Sequence, residues 1–164
     1  MRKVAICIGI AAVTMALAVT VIVGARGTGG AVDSVGTKYG FAMDAKKATA
    51  DGSVRVTGYV RVRREFRDGD HNYLVEIGMT PDELTKIENK VYMAGPARRI
   101  IKRDGVVIRE DHGRMPASVV DRHRATGGEP DLIAFKYVLP NGVPAVQFNG
   151  KVYWGDIEVY QRTE

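Results

Sequence analysis

Cysteine is almost missing from this chain. Cys7 is the only one in 164 residues, and it lies inside the apolar run that opens the sequence. The remainder can form no internal disulfide, so its stability must come from packing. Lipid attachment at Cys7 is disfavoured, because more apolar sequence follows it; it reads as a small apolar residue in a hydrophobic helix. A nucleophile with a partner set is missing as well. There is no G-x-S-x-G, and Ser34, Ser53 and Ser118 fall in a linking segment, a turn and a strand. No glycine-rich phosphate loop leads into a helix, and no long helical pattern exists to receive one. Internal repeats are absent. These absences point away from an enzyme, and no cofactor or metal is expected.

What is present divides in two. Arg2 and Lys3 precede the apolar stretch Val4 to Ala25, the order of a positive n-region and an h-region. The segment reads as a targeting element over residues 1–25, folding as an N-terminal hydrophobic helix. Val23, Gly24 and Ala25 form a small-residue exit compatible with cleavage after Ala25. The run is also long enough for a retained membrane anchor through residues 4–25. Both fates place the rest outside the cytoplasm, secreted or anchored. Without Arg2 and Lys3, 22 basic residues face 19 acidic ones. That excess is too small to demand specific nucleic acid; it suits loose attraction to anionic polysaccharide, lipid headgroups or a protein partner.

Residues 26–37 are small and lack an apolar period, which reads as a flexible tether. The folded domain is expected over residues 38–164. Tyr39, Phe41 and Met43 alternate in a first strand ending at the turn pair Asp51-Gly52. Val54, Val56, Val60 and Val62 then share one face, with Arg55, Thr57, Tyr59, Arg61 and Arg63 on the other. Gly58 marks a bend or a close backbone approach. The turn Arg67 to Asp70 leads to Tyr73, Val75 and Ile77, completing a hairpin. Thr80, Pro81 and Glu83 give a modest helix signal over Met79 to Asn89, with a turn into a strand as the alternative. Further short alternating segments are separated by turn residues to the end of the chain. In the last, Val146, Phe148, Val152 and Trp154 are expected to face inward, with Trp154 a core anchor and a bulge at Gly155-Asp156. The pattern predicts an all-β fold, a small antiparallel barrel or sandwich of about seven to nine strands.

The basic stripe is the best binding hint. Arg55, Tyr59, Arg61 and Arg63, with Arg64 and Arg67 beside them, would present guanidiniums along one strand to carboxylates or phosphates, with Tyr59 free to stack. The competing reading is a solvated face paired with Glu65, Glu76 or Glu158. Arg98, Arg99, Lys102 and Arg103 form a second cluster open to the same two readings. His71, His112 and His123 each stand near an acid, but their spacing matches no metal motif. Asp68, Asp70 and Asn72 mimic the start of a calcium loop, yet Tyr73 replaces its glycine and Met79 stands where a glutamate should close it.

Three places resemble the post-COAP domain, a family of small β-rich modules in exported bacterial proteins. They are Tyr39-Gly40-Phe41 ahead of Gly52 and Gly58, the stretch NKVYMAGPARRI from Asn89, and DLIAFKYVLPNG running into GKVYWGDIEV between Asp131 and Val159. The likeness covers Tyr39 to Tyr160. This chain departs from it in its arginine content and in the long section from Asp111 to Pro130. The resemblance implies a stand-alone extracytoplasmic β module and carries over no catalytic residue.

The sequence therefore predicts a non-enzymatic module that binds an anionic polymer, surface or protein through the arginine stripe. One alternative is a carrier of a small apolar ligand in a cavity lined by Tyr39, Phe41, Tyr137, Phe148 and Trp154. Another is a metal-dependent hydrolase built on His71, His112 or His123.

Overall fold

The computed structural model describes residues 19–122 and 128–164. Eleven strands make up the fold: β1 (Val21–Asp33), β2 (Lys38–Ala50), β3 (Ser53–Asp68), β4 (His71–Met79), β5 (Glu83–Ile87), β6 (Lys90–Ala94), β7 (Pro96–Arg103), β8 (Val106–Arg114), β9 (Ala117–Val120), β10 (Leu132–Val138) and β11 (Pro144–Thr163). The described residues contain no helix. All pairings are antiparallel, in the order β11-β1-β2-β3-β4-β7-β8-β10-β9-β6-β5, and β11 also pairs with β10. Eight strands thus return on themselves. The link between β8 and β10 is narrow, resting on Val138 opposite Arg114, while β9, β6 and β5 extend from the other part of the same β10 edge.

Alternation builds the core. Tyr39, Phe41, Met43 and Ala45 of β2, Val60 and Val62 of β3, and Val75, Ile77 and Met79 of β4 are all buried. So are Ile133, Phe135 and Tyr137 of β10 and Phe148, Val152, Ile157 and Val159 of β11. Period-two spacing sends each of these sets to one side of its strand. At the centre the ring of Tyr39 stands edge-on to Phe148 at 4.9 Å and to Phe135 at 5.1 Å, and Phe135 stacks on Phe148 at 5.3 Å. Each such pair contributes roughly 0.5–1.5 kcal/mol beyond its burial.

Several expectations hold. β2 ends at Asp51-Gly52, β3 and β4 form the hairpin, and Gly58 lies at a close approach. Its φ is +124°, and a Cβ there would run into the carbonyl oxygen of Asp44 on β2. Others need correction. Val21 to Ala25 belong to β1, so the expected N-terminal helix does not extend over them; residues 1–18 lie outside the described residues. Most of the stretch read as a tether, from Arg26 to Asp33, is also strand. It shows no apolar period because glycine does the packing: Gly27 and Gly29 lie against the β11 backbone at Asp156 and Trp154. Residues 83–87 form β5 where a short helix was the first reading, because backbone pairing with β6 outweighs a weak capping signal. The strand count is eleven, above the seven to nine expected, since β1 lies in the stretch read as apolar run and tether and β5 in the one read as a short helix or turn.

Candidate anion-binding face

The outer face of the β11-β1-β2-β3 wall carries the stripe. Tyr59, Arg61 and Arg63 are exposed there, while Val60 and Val62 between them are buried. Arg61 stands opposite Ala42 on β2 and Gly78 on β4, so neither cross-strand neighbour is an acid. Arg63 stands opposite Gly40 and Glu76 and bonds to Glu65 along its own strand. Arg55 is exposed near the start of β3 and, like Arg61, has no ion pair among the described residues. Arg64 faces the other way: its guanidinium lies over the rings of Phe66 at 4.7 Å and Tyr39 at 5.9 Å. Arg67 is held at the hairpin end by the Gly69 carbonyl and Asp70. The usable stripe is therefore Tyr59, Arg61 and Arg63, with Arg55 at its end.

Of the three acids expected to neutralise the stripe, Glu65 is the one bonded to it among the described residues. Glu76 accepts from Lys102 at 3.2 Å, and Glu158 accepts from Arg26 at 2.8 Å. The Arg63–Glu65 pair is exposed on both sides, and pairs of that kind contribute little.

Trp154 lies on this outer face at 55% exposure, so it is not a core anchor. The bulge falls at Tyr153, earlier than expected: Gly30 of β1 pairs with Trp154, Ala31 pairs with Val152, and Tyr153 is left over. The phase of β11 flips there, leaving both Tyr153 and Trp154 outside. The indole reaches across to β1 and occupies the volume that a side chain at position 30 would fill, since a Cβ there would meet the indole Nε1 and Cδ1. Glycine at 30 thus leaves room for an aromatic plate lying along the wall. The Lys38 amine sits 5.4 Å from the Tyr153 ring centre beside it. Sequence reasoning missed this pair. The available signal was the adjacency of two aromatics in an alternating run, since only one of two neighbours can point inward without a bulge.

Between plate and stripe the wall is low. One row crosses it as Trp154, Gly30, Gly40 and Arg63, the next as Asp156, Thr28, Ala42 and Arg61. Three strand spacings separate Trp154 from Arg63, about 14 Å along the wall. A groove of ≈ 700 Å³ beside these rows is lined by Arg26, Thr28, Ala42, Asp44, Tyr59 and Asp156, among others. The arrangement offers a flat ring, two outward guanidiniums and carboxylate acceptors on a floor of small residues.

Three members of the second basic cluster, Arg98, Arg99 and Lys102, are held within the sheet, while Arg103 is exposed at the end of β7. Arg98 makes a two-pronged pair with Glu110 at 2.8 Å. Arg99 is buried on the core side and grips Asp111 at 3.0 and 2.6 Å; Asp111 also accepts from Tyr137 at 2.7 Å and from Arg109 at 2.8 Å. The Arg99 hydrogen bond, aided by those of Tyr137 and Arg109, lowers the Asp111 carboxyl to about 2 despite its desolvation. Burial, then the bond to Asp111, pushes the Tyr137 phenol well above its ordinary value.

His71 bonds to Asp104 at 2.6 Å, His112 stands 3.7 Å from Glu110, and His123 lies outside the described residues. Among the described residues no group of three His, Cys, Asp or Glu is arranged to hold a metal ion. Asp68 and Asn72 flank the β3–β4 turn, where the Asn72 backbone N–H donates to the Asp104 carboxylate. Of the five residues expected to line a ligand cavity, Tyr39, Phe41, Tyr137 and Phe148 pack into the core and Trp154 lies on the opposite face. Comparison with known proteins found no family model, curated protein or solved structure that matches the chain.

Proposed function

We propose that this chain is an exported, non-enzymatic β module whose outer wall binds an acidic polysaccharide. The observation that carries the reading is the position of Arg61, an exposed guanidinium flanked across both neighbouring strands by Ala42 and Gly78 and without an ion pair among the described residues. An anion docking there meets donors that need not first be released from an internal partner, and a charge-assisted hydrogen bond contributes about 1.5–3 kcal/mol. Trp154 and Tyr153 favour a sugar chain over a bare phosphate polymer, since a pyranose ring presents an apolar face to an aromatic plate while its carboxylate reaches an arginine. Asp156 and Asp44 would accept from sugar hydroxyls. The returning strand order supports a barrel with β9, β6 and β5 as a side flap, and the post-COAP likeness belongs to the same reading.

The test is retention on immobilised polygalacturonate through a salt series, with neutral dextran as control. The expected result is retention on the acidic polymer alone, lost at high salt, and weakened about tenfold in Arg61→Ala plus Arg63→Ala. Undiminished binding by that variant removes the stripe from the function. Retention on anionic vesicles without retention on polygalacturonate transfers the face to a lipid headgroup. Trp154 is the only tryptophan, so quenching of its emission by polygalacturonate reports occupancy of the plate directly.

A further inference from the structure

We infer that the leader is removed between Ala18 and Val19, so that the mature chain begins Val-Thr-Val-Ile-Val and keeps all of β1. The inference rests on the reading that the chain is exported; what it adds is the bond that is cut.

The structure makes the small-residue exit at Ala25 unusable. Ala25 is fully buried in the core cluster, and Val23 packs against that cluster. Val21 to Ala25 pair on one side with Ala45 to Thr49 of β2 and on the other with Val159 to Thr163 of β11. The pairing continues past the strand end, where Thr20 donates to Glu164 at 3.0 Å and accepts from it at 2.9 Å. A cut after Ala25 would delete one flank of each ladder and leave two opposed edges unpaired. Unpaired strand edges are costly when buried and prone to aggregation when exposed. The mature chain therefore keeps Thr20.

Upstream of Thr20 the sequence supplies a better exit. Ala16-Leu17-Ala18 places small residues at the third and first positions before the bond, the A-x-A pattern of signal-peptide cleavage. The apolar run then extends from Val4 to Met15, 12 residues, inside the usual span of about 7 to 15 for an h-region.

The same observation weakens the anchor. With Thr20 committed to the sheet, only Val4 to Val19 are free to cross a bilayer. Sixteen residues of helix reach roughly 24 Å, short of a hydrocarbon core of about 30 Å. The apolar stretch looked long enough to span only because strand residues at its far end were counted as part of it.

Cys7 supplies a readout separate from mass. It lies in the removed piece, so the precursor carries one thiol and the mature chain none. The full chain is expressed in a bacterium with a working secretion system, and each cell fraction is analysed by intact mass, N-terminal sequencing and maleimide labelling after denaturation. The expected result is an extracytoplasmic product that begins at Val19 and takes up no maleimide. Ala16→Asp plus Ala18→Arg, two changes upstream of the described residues, should accumulate a precursor that labels once. A mature chain beginning at Arg26, or an extracytoplasmic membrane-bound chain still holding its thiol, overturns the inference while leaving export intact. A full-length thiol-bearing chain confined to the cytosol overturns export itself.

Discussion

Two walls of the same sheet use charge in opposite ways. Across β4, β7 and β8 most of the cations are tied: Arg98 to Glu110, Lys102 to Glu76, and Arg99 to Asp111 on the buried side. Across β11, β1, β2 and β3 the floor is glycine and alanine, the backbones lie close, and Arg55 and Arg61 have no such partner among the described residues. Counting arginines therefore says little about which surface can bind. What decides is whether a carboxylate holds the cation, directly opposite as Asp111 holds Arg99 or diagonally as Glu110 holds Arg98, because a guanidinium already seated on a carboxylate must lose that bond before it gains another.

The contrast can be broken most severely on the glycine wall. Gly58→Val should destabilise by about 3 kcal/mol or more, because the new Cβ meets the Asp44 carbonyl and the residue must hold a positive φ. Denaturant unfolding would show this as a large fall in midpoint, whereas an unchanged midpoint would mean the two backbones do not lie so close. On the charged wall Arg99→Ala comes next, at about 3 kcal/mol, since it strips Asp111 of its two-pronged buried partner and leaves only Arg109 and the Tyr137 hydroxyl.

A smaller effect is read from pH. Because folding lowers the Asp111 carboxyl from 3.8 to about 2, the stability it contributes is full above its unfolded value and is lost as pH falls from about 4 towards 2. The loss is no more than about 2 kcal/mol, since Asp111 keeps some contact with solvent. Asp111→Asn should be less stable near neutrality and should lack that part of the acid dependence in unfolding curves taken between pH 5 and 2. The smallest effect is expected from Arg98→Ala. Its pair with Glu110 is exposed on both sides, so the thermal midpoint should barely move, which sharpens the distinction between outward and inward cations on one strand.

Legibility in the sequence followed periodicity. β2, β3 and β4 could be read because their apolar residues alternate, with Asp-Gly pairs marking the ends of β2 and β3. Gly58 stood out because it broke an otherwise regular run. β1 was hidden twice over: its first half, Val21 to Ala25, merged with the apolar run before it, and its second half, Arg26 to Asp33, has glycine where a strand usually shows branched side chains. Neither half signals a strand alone, and only pairing with β2 and β11 makes it one. The arginine stripe was legible as a pattern, but its division was not, because Glu76 and Glu158 are drawn to Lys102 and Arg26 by strand order that local spacing does not contain. Trp154 was misplaced by one residue of register, since the extra residue is Tyr153 and a bulge reverses every face beyond it.

The pairing of β1 with β11 joins Arg26 to Glu158 across nearly the whole chain. As the polypeptide emerges from its N-terminal end, β2 is made almost at once and can zip onto one side of β1, while the other side has no partner until the last twenty residues arrive. The final ladder therefore forms against the largest loop-closure entropy in the molecule. Until then the glycine wall is a sticky seam. A holding chaperone that recognises such an open edge would shorten the hazard, and slow elongation near the end of the message would lengthen it.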